Sequence, residues 1–502
     1  MARHVGTLSA ETASFVAMSE TPVSVPVGSA RPAADGLWSP RYRQLTIGLV
    51  LTITLVAFES LAVATILPIV GADLGNARLY GWIFTAFFLG SLLGIVVVGG
   101  LIDRGGLARP FVVAVVLFSL GLTIGGLAPS MEVLVGGRFL QGLGGGAIPP
   151  IAYVAIGRGL PEHLRARMFA TMSTAWVVPS VIGPAVSGIV AETLHWRLVF
   201  LGLLPLIVVA AVLTIPALVS STLRVGADGD PDTNTNASNM RRRLPWALLV
   251  TGGAAMLVAG LTDAQLIPGL PLAVGGLAVG LPAFRRLTPP GTLRVAPGLP
   301  AAVMLRGVLT FAFFCADAYV PLTLQHWRGL DAATAGIALT TASLAWTVGA
   351  WIQARRFARI GARRFVTVGF LTVGAGIVAF SAILSPAVPA LLGAAAWAAA
   401  GFGMGLSYSP LSLVVLAEAP LAGQGAATSG MQLSDTLGTA LGTGVGGAVI
   451  AAAAAAGLEG WTGLAASFAI GLAAALVGSL LAHRLPGPSH ATGVARTVAR
   501  AG

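Results

Sequence analysis

Three carboxylates and one guanidinium lie in stretches where nearly every neighbour is apolar: Glu59, Asp317, Asp435 and Arg138. Glu59 falls in Phe58-Glu59-Ser60-Leu61-Ala62-Val63, Asp317 in Phe314-Cys315-Ala316-Asp317-Ala318-Tyr319-Val320-Pro321, and Asp435 in Gln432-Leu433-Ser434-Asp435-Thr436. Ionisable groups in such surroundings are costly and are kept where they have a use. A carboxyl there can do one reaction unaided, which is to take up and release a proton as its surroundings change. Burial favours the neutral form of any carboxyl, and a nearby guanidinium favours the charged one. The alternatives are structural: Glu59 permanently paired with Arg138, Arg138 snorkelling to an interface, and Asp317 and Asp435 held by hydrogen bonds. Asp317 ranks above Asp435. Arg306 lies eleven residues before Asp317, too far for a direct pair. Tyr319, two residues beyond, faces away on a regular helix.

The elements that carry these groups follow from composition. Of 502 residues, 56% are apolar and 9% charged, which describes an integral membrane protein. A spanning helix takes roughly 20 apolar residues, and backbone groups cannot stay unpaired in lipid. Fourteen segments qualify, near 45–70, 79–102, 110–129, 131–157, 168–191, 197–220, 245–262, 265–284, 299–325, 333–354, 364–384, 386–415, 426–455 and 461–483. The eighth is the weakest, with Pro268, Pro271 and Pro282. Helix rise then places Glu59 about fourteen residues in from one end of the first segment, near mid-membrane.

A net charge of +11 suggests nucleic acid until its distribution is read. Arg41 and Arg43, Arg104 and Arg109, Arg158, Arg165 and Arg167, Arg241 to Arg243, Arg285 and Arg286, and Arg355 to Arg364 fill every second loop. Arginine-rich loops are cytoplasmic, so both termini are expected there, as an even helix count requires. One cysteine, Cys315, excludes a disulfide framework. The six histidines form no ligand spacing, and the chain has no lysine and hence no Gly-x-x-x-x-Gly-Lys loop for ATP. Catalysis, cofactor and metal are therefore not expected.

The chain is expected to divide into a disordered tail (1–44), a six-helix bundle (45–220), a polar linker (221–244), two inserted helices (245–285), a second six-helix bundle (299–484) and a short tail (485–502). An internal echo supports the two bundles. Gln141-Gly142-Leu143-Gly144-Gly145-Gly146 in the fourth segment matches Ala400-Gly401-Phe402-Gly403-Met404-Gly405 in the twelfth, with Trp397 close to the place of Arg138. Repeated halves around a central path are a transporter architecture.

Three motifs carry a resemblance. Between the second and third segments stands Gly99-Gly100-Leu101-Ile102-Asp103-Arg104-Gly105-Gly106-Leu107-Ala108-Arg109. Its Gly-x-x-x-Asp-Arg-x-Gly core resembles the loop signature of major facilitator superfamily transporters, although it ends Leu107-Ala108-Arg109 where the family usually carries two adjacent basic residues. Arg138-Phe139-Leu140-Gln141-Gly142 is similar to that superfamily's Arg-x-x-Gln-Gly motif. Gly183-Pro184-Ala185-Val186-Ser187-Gly188 resembles its antiporter motif, with Trp196-Arg197 beyond it. The alternative for the last is an ordinary proline kink.

The resemblance implies an all-α major facilitator fold and the fourteen-helix drug:proton antiporter branch. It implies export of small hydrophobic or amphipathic compounds in exchange for protons, by rocking of the halves. Glu59 would be the main proton carrier, Arg138 its modulator, and Asp317 a second protonation or cation site, with Asp435 behind it. Gly99, Asp103, Arg104, Gly106 and Arg109 would hold the halves together on the cytoplasmic side. The expected partners are substrate, protons and lipid, with no nucleic acid, in a monomer at a bacterial plasma membrane. Export of a lipid or lipid-linked molecule stands second, and a non-transporting sensor or scaffold third. Trp82, Phe87, Trp176 and Trp346 fit a cavity and a lipid face equally.

Overall fold

In hydrocarbon a backbone must pair its own polar groups, and the chain does so as helix. The computed structural model describes residues 36–75, 82–219, 233–262, 266–330 and 332–487, and among them there is no strand. In order the helices are α1 (Arg43–Leu74), α2 (Trp82–Gly105), α3 (Ala108–Gly126), α4 (Met131–Gly159), α5 (Glu162–Thr174), α6 (Val177–Val190), α7 (Arg197–Leu201), α8 (Leu203–Val219), α9 (Thr233–Thr262) and α10 (Leu266–Leu287). They continue as α11 (Leu299–Asp317), α12 (Val320–Leu322), α13 (Ala332–Ser381), α14 (Leu392–Glu418), α15 (Gln424–Ala455) and α16 (Gly460–Leu481).

Eleven stretches among the described residues are long and apolar enough to cross a membrane. One of them, 49 residues within and just beyond α13, would measure about 74 Å if straight, more than twice a bilayer core. Gly361, at φ 77°, breaks it into two limbs. The fifth expected segment is interrupted at Ala175–Trp176, one turn before Pro179 rather than at Pro184. Proline cannot donate to the residue four before it, and the clash of its ring falls on that carbonyl.

The boundaries differ from expectation in three places. Residues 1–35 lie outside the described residues, but Leu37 and Tyr42 from the expected tail are buried, and Thr46 Oγ1 donates to the Leu37 carbonyl at 3.1 Å. Two apolar side chains anchor this end of the expected tail, so it is ordered from Leu37 onward. The linker is helical from Thr233, with 220–232 outside the described residues, because no glycine or proline interrupts helix propensity before Pro245. At the other end Leu485 is buried, and 488–502 lie outside the described residues.

Glycine sets the packing around α4 and α14. A Cβ on Gly142 or Gly146 would strike the backbone of Phe87 or Ser91 in α2, and one on Gly144 that of Ala114 and Phe118 in α3. In the second half Gly401 and Gly405 meet Ala342 and Trp346 in the first limb of α13, and Gly403 meets Gly369 and Val373 in the second limb. The echo in the sequence is thus a repeat in space: each fourth helix is clasped by the second and third of its own half. This register sets Trp397 against Arg138, and Ser412 against Tyr153.

The halves meet at the end that carries the arginine-rich turns. Gly99 of α2 lies against Ser429 and Gly425 of α15, and Gly157 of α4 against Leu416 of α14. Arg158 donates to the Leu421 carbonyl at 3.0 Å, and the Trp351 indole to Thr174 Oγ1 at 3.0 Å. One apolar cluster runs through both halves there, including Ile151, Phe169, Leu305 and Met431. At the opposite end the core of the first half, with Val63, Ile66, Val70 and Phe200, contains first-half residues only. The α9–α10 pair lies across one seam, its Ala247, Val250 and Phe284 packing with Leu92, Ile95 and Val96 of α2 and Leu433 of α15.

Candidate functional site

Glu59 and Arg138 are brought together from α1 and α4, and both are buried, at 0% and 2% exposure. Arg138 Nη1 donates to Glu59 Oε1 in a salt bridge and to Gln141 Oε1 at 2.7 Å. Its Nε donates to the Ile83 carbonyl at 3.3 Å, and its guanidinium lies over the Phe87 ring, 4.4 Å from the centroid. Among the described residues, Glu59 Oε2 and Gln141 Nε2 have no hydrogen-bond partner. The glycines clasping α4 to α2 allow Phe87 and Ile83 to come this near. A buried charge held by one carboxylate, one amide, one carbonyl and one ring is well paired. The free carboxylate oxygen leaves room for a proton.

Asp317 occupies the matching place in the second half. It is half-buried and ends α11, two residues before Tyr319 and four before Pro321. Its Oδ1 accepts from the Trp397 indole at 2.8 Å. Trp397, on α14, is fully buried and stacks with Phe313, ring centroids 5.2 Å apart. So where the first half sets arginine against glutamate, the second sets an uncharged donor against aspartate. Tyr319 turns away and donates to the Thr443 carbonyl.

Asp435 is held by a residue that spacing on one helix did not assign to it. Arg306 on α11 donates through Nε to Asp435 Oδ1 at 2.9 Å, and Tyr408 OH donates to Asp435 Oδ2 at 2.9 Å. Sequence reasoning asked only whether Arg306 could reach Asp317; its true partner comes from α15. The usable signal was a second arginine buried in an apolar run, which needs a carboxylate from somewhere.

Gly99 packs on α15, as described, and Asp103 and Arg104 lie in the last turn of α2, their side chains outside the described residues. Gly106 makes the α2–α3 turn at φ 102°, a conformation glycine adopts freely, and Arg109 is exposed on α3. In α6 Gly183 is buried, Gly188 approaches Thr65 of α1, and the side chain of Pro184 is outside the described residues. Of the four aromatics, Phe87 lies under Arg138 and Trp346 packs on Phe313 and Tyr408. Trp82 and Trp176 are exposed, at 45% and 46%.

At the end away from the arginine-rich turns, Trp196 Nε1 and Arg197 Nη1 both donate to Asp73 Oδ2, at 2.9 and 3.1 Å. The indole hydrogen bond, then the Arg197 guanidinium, hold the Asp73 carboxyl below the usual aspartate range against a smaller opposing effect of burial. Among the described residues no three His, Cys, Asp or Glu side chains gather as a metal site.

The family model described as Major Facilitator Superfamily matches residues 49–443. A protein of Mycobacterium tuberculosis named as a probable multidrug-efflux transporter is 27% identical over 461 residues, covering 88% of this chain and 95% of that protein. A multidrug transporter protein of Bacillus subtilis is 25% identical over 430 residues, covering 83% and 76%. Among solved structures, the human organic anion transporter MFSD10 superposes with a TM-score of 0.65 at 14% identity, over 88% of this chain and 99% of that one. That likeness is one of fold.

Proposed function

The chain belongs to the major facilitator superfamily, and from that premise we propose that it exports small hydrophobic or amphipathic compounds in exchange for protons, by alternating access. It is a multi-pass membrane transporter, and relatives matched over most of their length are named for multidrug efflux. In this reading two six-helix bundles, 45–220 and 299–484, carry the inserted α9–α10 pair between them. The chain crosses the membrane fourteen times: α13 counts twice, α5 with α6 once, and α9 is a short span. Both termini are cytoplasmic, so the arginine-rich end where the halves meet faces the cytoplasm, and the conformation described opens outward.

The observation that carries the proton step is Glu59, with one oxygen on Arg138 and the other without a partner among the described residues. A proton arriving at Oε2 neutralises the carboxylate and ends its claim on the guanidinium. Gln141, the Ile83 carbonyl and the Phe87 ring already hold Arg138, so the charge is not abandoned when the pair parts. Asp317, which has a neutral donor, serves as a second protonation site. Asp435 is engaged through both oxygens and is assigned no proton transfer. The loop from Gly99 to Arg109 acts as part of the cytoplasmic closure, through the Gly99 contact with α15.

The test is dye efflux in inverted vesicles energised by a proton gradient, comparing wild type with Glu59→Gln and Asp317→Asn at matched protein level. Gradient-dependent efflux abolished by Glu59→Gln is the expected result. Efflux that survives Glu59→Gln but not Asp317→Asn moves the carrier to the second half. Absence of flux over a broad dye panel removes multidrug export and turns the search to lipid substrates.

A further inference from the structure

Away from the proton sites, one buried polar cluster is built from both halves. Arg306 is fully buried. Within its own half Nε donates to Asp435, and Nη1 to the Tyr408 carbonyl at 2.6 Å and to Ser412 Oγ at 3.2 Å. The Tyr408 ring lies against the guanidinium, and the Tyr408 hydroxyl secures the other oxygen of Asp435. The remaining nitrogen, Nη2, reaches across the seam to Tyr153 OH on α4, at 3.4 Å.

We infer that Arg306 and Tyr153 form a latch between the halves that holds the cytoplasmic side closed. The inference rests on the alternating-access reading above. The charge of Arg306 is neutralised by Asp435 and its position fixed by Tyr408 and Ser412, all in the second half. When the halves part, the arginine stays where it is. Tyr153 belongs to the other body: its ring packs edge-on against Phe169, centroids 5.0 Å apart. Among the described residues it is the one first-half side chain that Arg306 touches through a polar atom. It stands six residues before the end of α4, just inside the Gly157 and Arg158 seam contacts. Opening on that side breaks only what the Tyr153 hydroxyl makes across the seam, with Arg306 and with the neighbouring Tyr408 hydroxyl, and leaves the rest intact, which is what a latch requires.

The repeat makes the arrangement legible. Ser412 holds the register position of Tyr153, so the two fourth helices present equivalent positions to a single guanidinium from opposite sides. No second arginine answers it: eleven residues before Asp317 stands Arg306, and eleven before Glu59 stands Gly48. The device is one-sided, as a closure needed on one face of the membrane would be.

The experiment uses the full chain in membrane vesicles, in a Cys315→Ala background that removes its one thiol. Two reporter cysteines are introduced separately. One replaces Ser429, which is buried against Gly99 on the cytoplasmic seam; the other replaces Thr439, which is half-buried ten residues further toward the outer end of α15. Labelling by an impermeant maleimide is timed from the cytoplasmic and the outer side respectively, with no substrate and no gradient. Tyr153→Phe keeps the packing and removes only the hydroxyl. It is expected to speed labelling at 429 by roughly three- to tenfold, the range for one hydrogen bond lost, and to slow labelling at 439. A rise at both positions means Tyr153 only stabilises the fold and overturns the latch; no change at 429 overturns it also. Because the readout needs no transport, failure of dye efflux leaves this result to be judged on its own.

Discussion

Replacing Glu59 with Gln should harm the protein more than replacing Arg138, and replacing both should harm it less than the two losses added together. In wild type the pair is fully buried, and removing one partner of such a pair costs about 3–5 kcal/mol, because the charge left behind stays out of water. Glu59→Gln leaves that charge on arginine, which cannot discard its proton. The new amide oxygen, Gln141 and the Ile83 carbonyl still accept from it, so the cost belongs near the lower end, about 3 kcal/mol. Arg138→Gln leaves a carboxylate instead, and a carboxylate can bind a proton and become neutral. What remains is imperfect hydrogen bonding, about 1–2 kcal/mol. In Glu59→Gln/Arg138→Gln no charge is buried, and the double variant should be milder than the sum of the singles by roughly 2–3 kcal/mol. Thermal unfolding of purified protein in one detergent, followed by tryptophan fluorescence, gives the ranking directly. Additive losses, or an arginine variant less stable than the glutamate one, would refute the reasoning.

Two further outcomes follow from the geometry. Gly142→Ala and Gly401→Ala each drive a methyl into a backbone carbonyl of the neighbouring helix, and each should cost about 1–3 kcal/mol in the same unfolding assay; Gly136→Ala, with nothing within 4 Å of its added carbon, should not. The lowered Asp73 carboxyl stabilises the fold above the ordinary aspartate pKa of about 3.9, and this contribution fades as pH falls through its lower folded value. The melting temperature of Asp73→Asn should therefore lie below wild type at neutral pH, with the gap closing in acid.

Much of this fold could be read before any coordinate, because bilayer thickness and backbone pairing leave few options for apolar runs of this length. The glycine echo was legible for a similar reason: where helices touch at their backbones, nothing larger fits, and the pattern survives in both halves. The Glu59–Arg138 pair could be foreseen since both ends are anomalous in lipid and the motif around Arg138 fixes its place. The partners in the second half were harder. Trp397 looks like any buried aromatic until Asp317 is set beside it, and Arg306 finds Asp435 across more than a hundred residues, a distance that helical spacing cannot address. The anchored stretch at Leu37 and Tyr42 was hidden because its two apolar side chains sit among residues that read as tail.

The α9–α10 pair touches α2 in one half and α15 in the other, so any rocking of the halves has mechanical consequences for it. Gly253, Gly260 and Gly276 bring its two helices to backbone contact, so the pair is stiff and must travel as a unit. Its surface against α2 takes in Leu92, Ile95 and Val96, while its apolar hold on α15 centres on Leu433 and Leu437. If the halves rock as proposed, sliding concentrates on the narrower α15 face, and the pair rides with the first half like a rail bolted to one carriage. Under that proposal the stroke of the cycle is bounded on this flank by how far α15 can slip along a fixed hydrophobic edge.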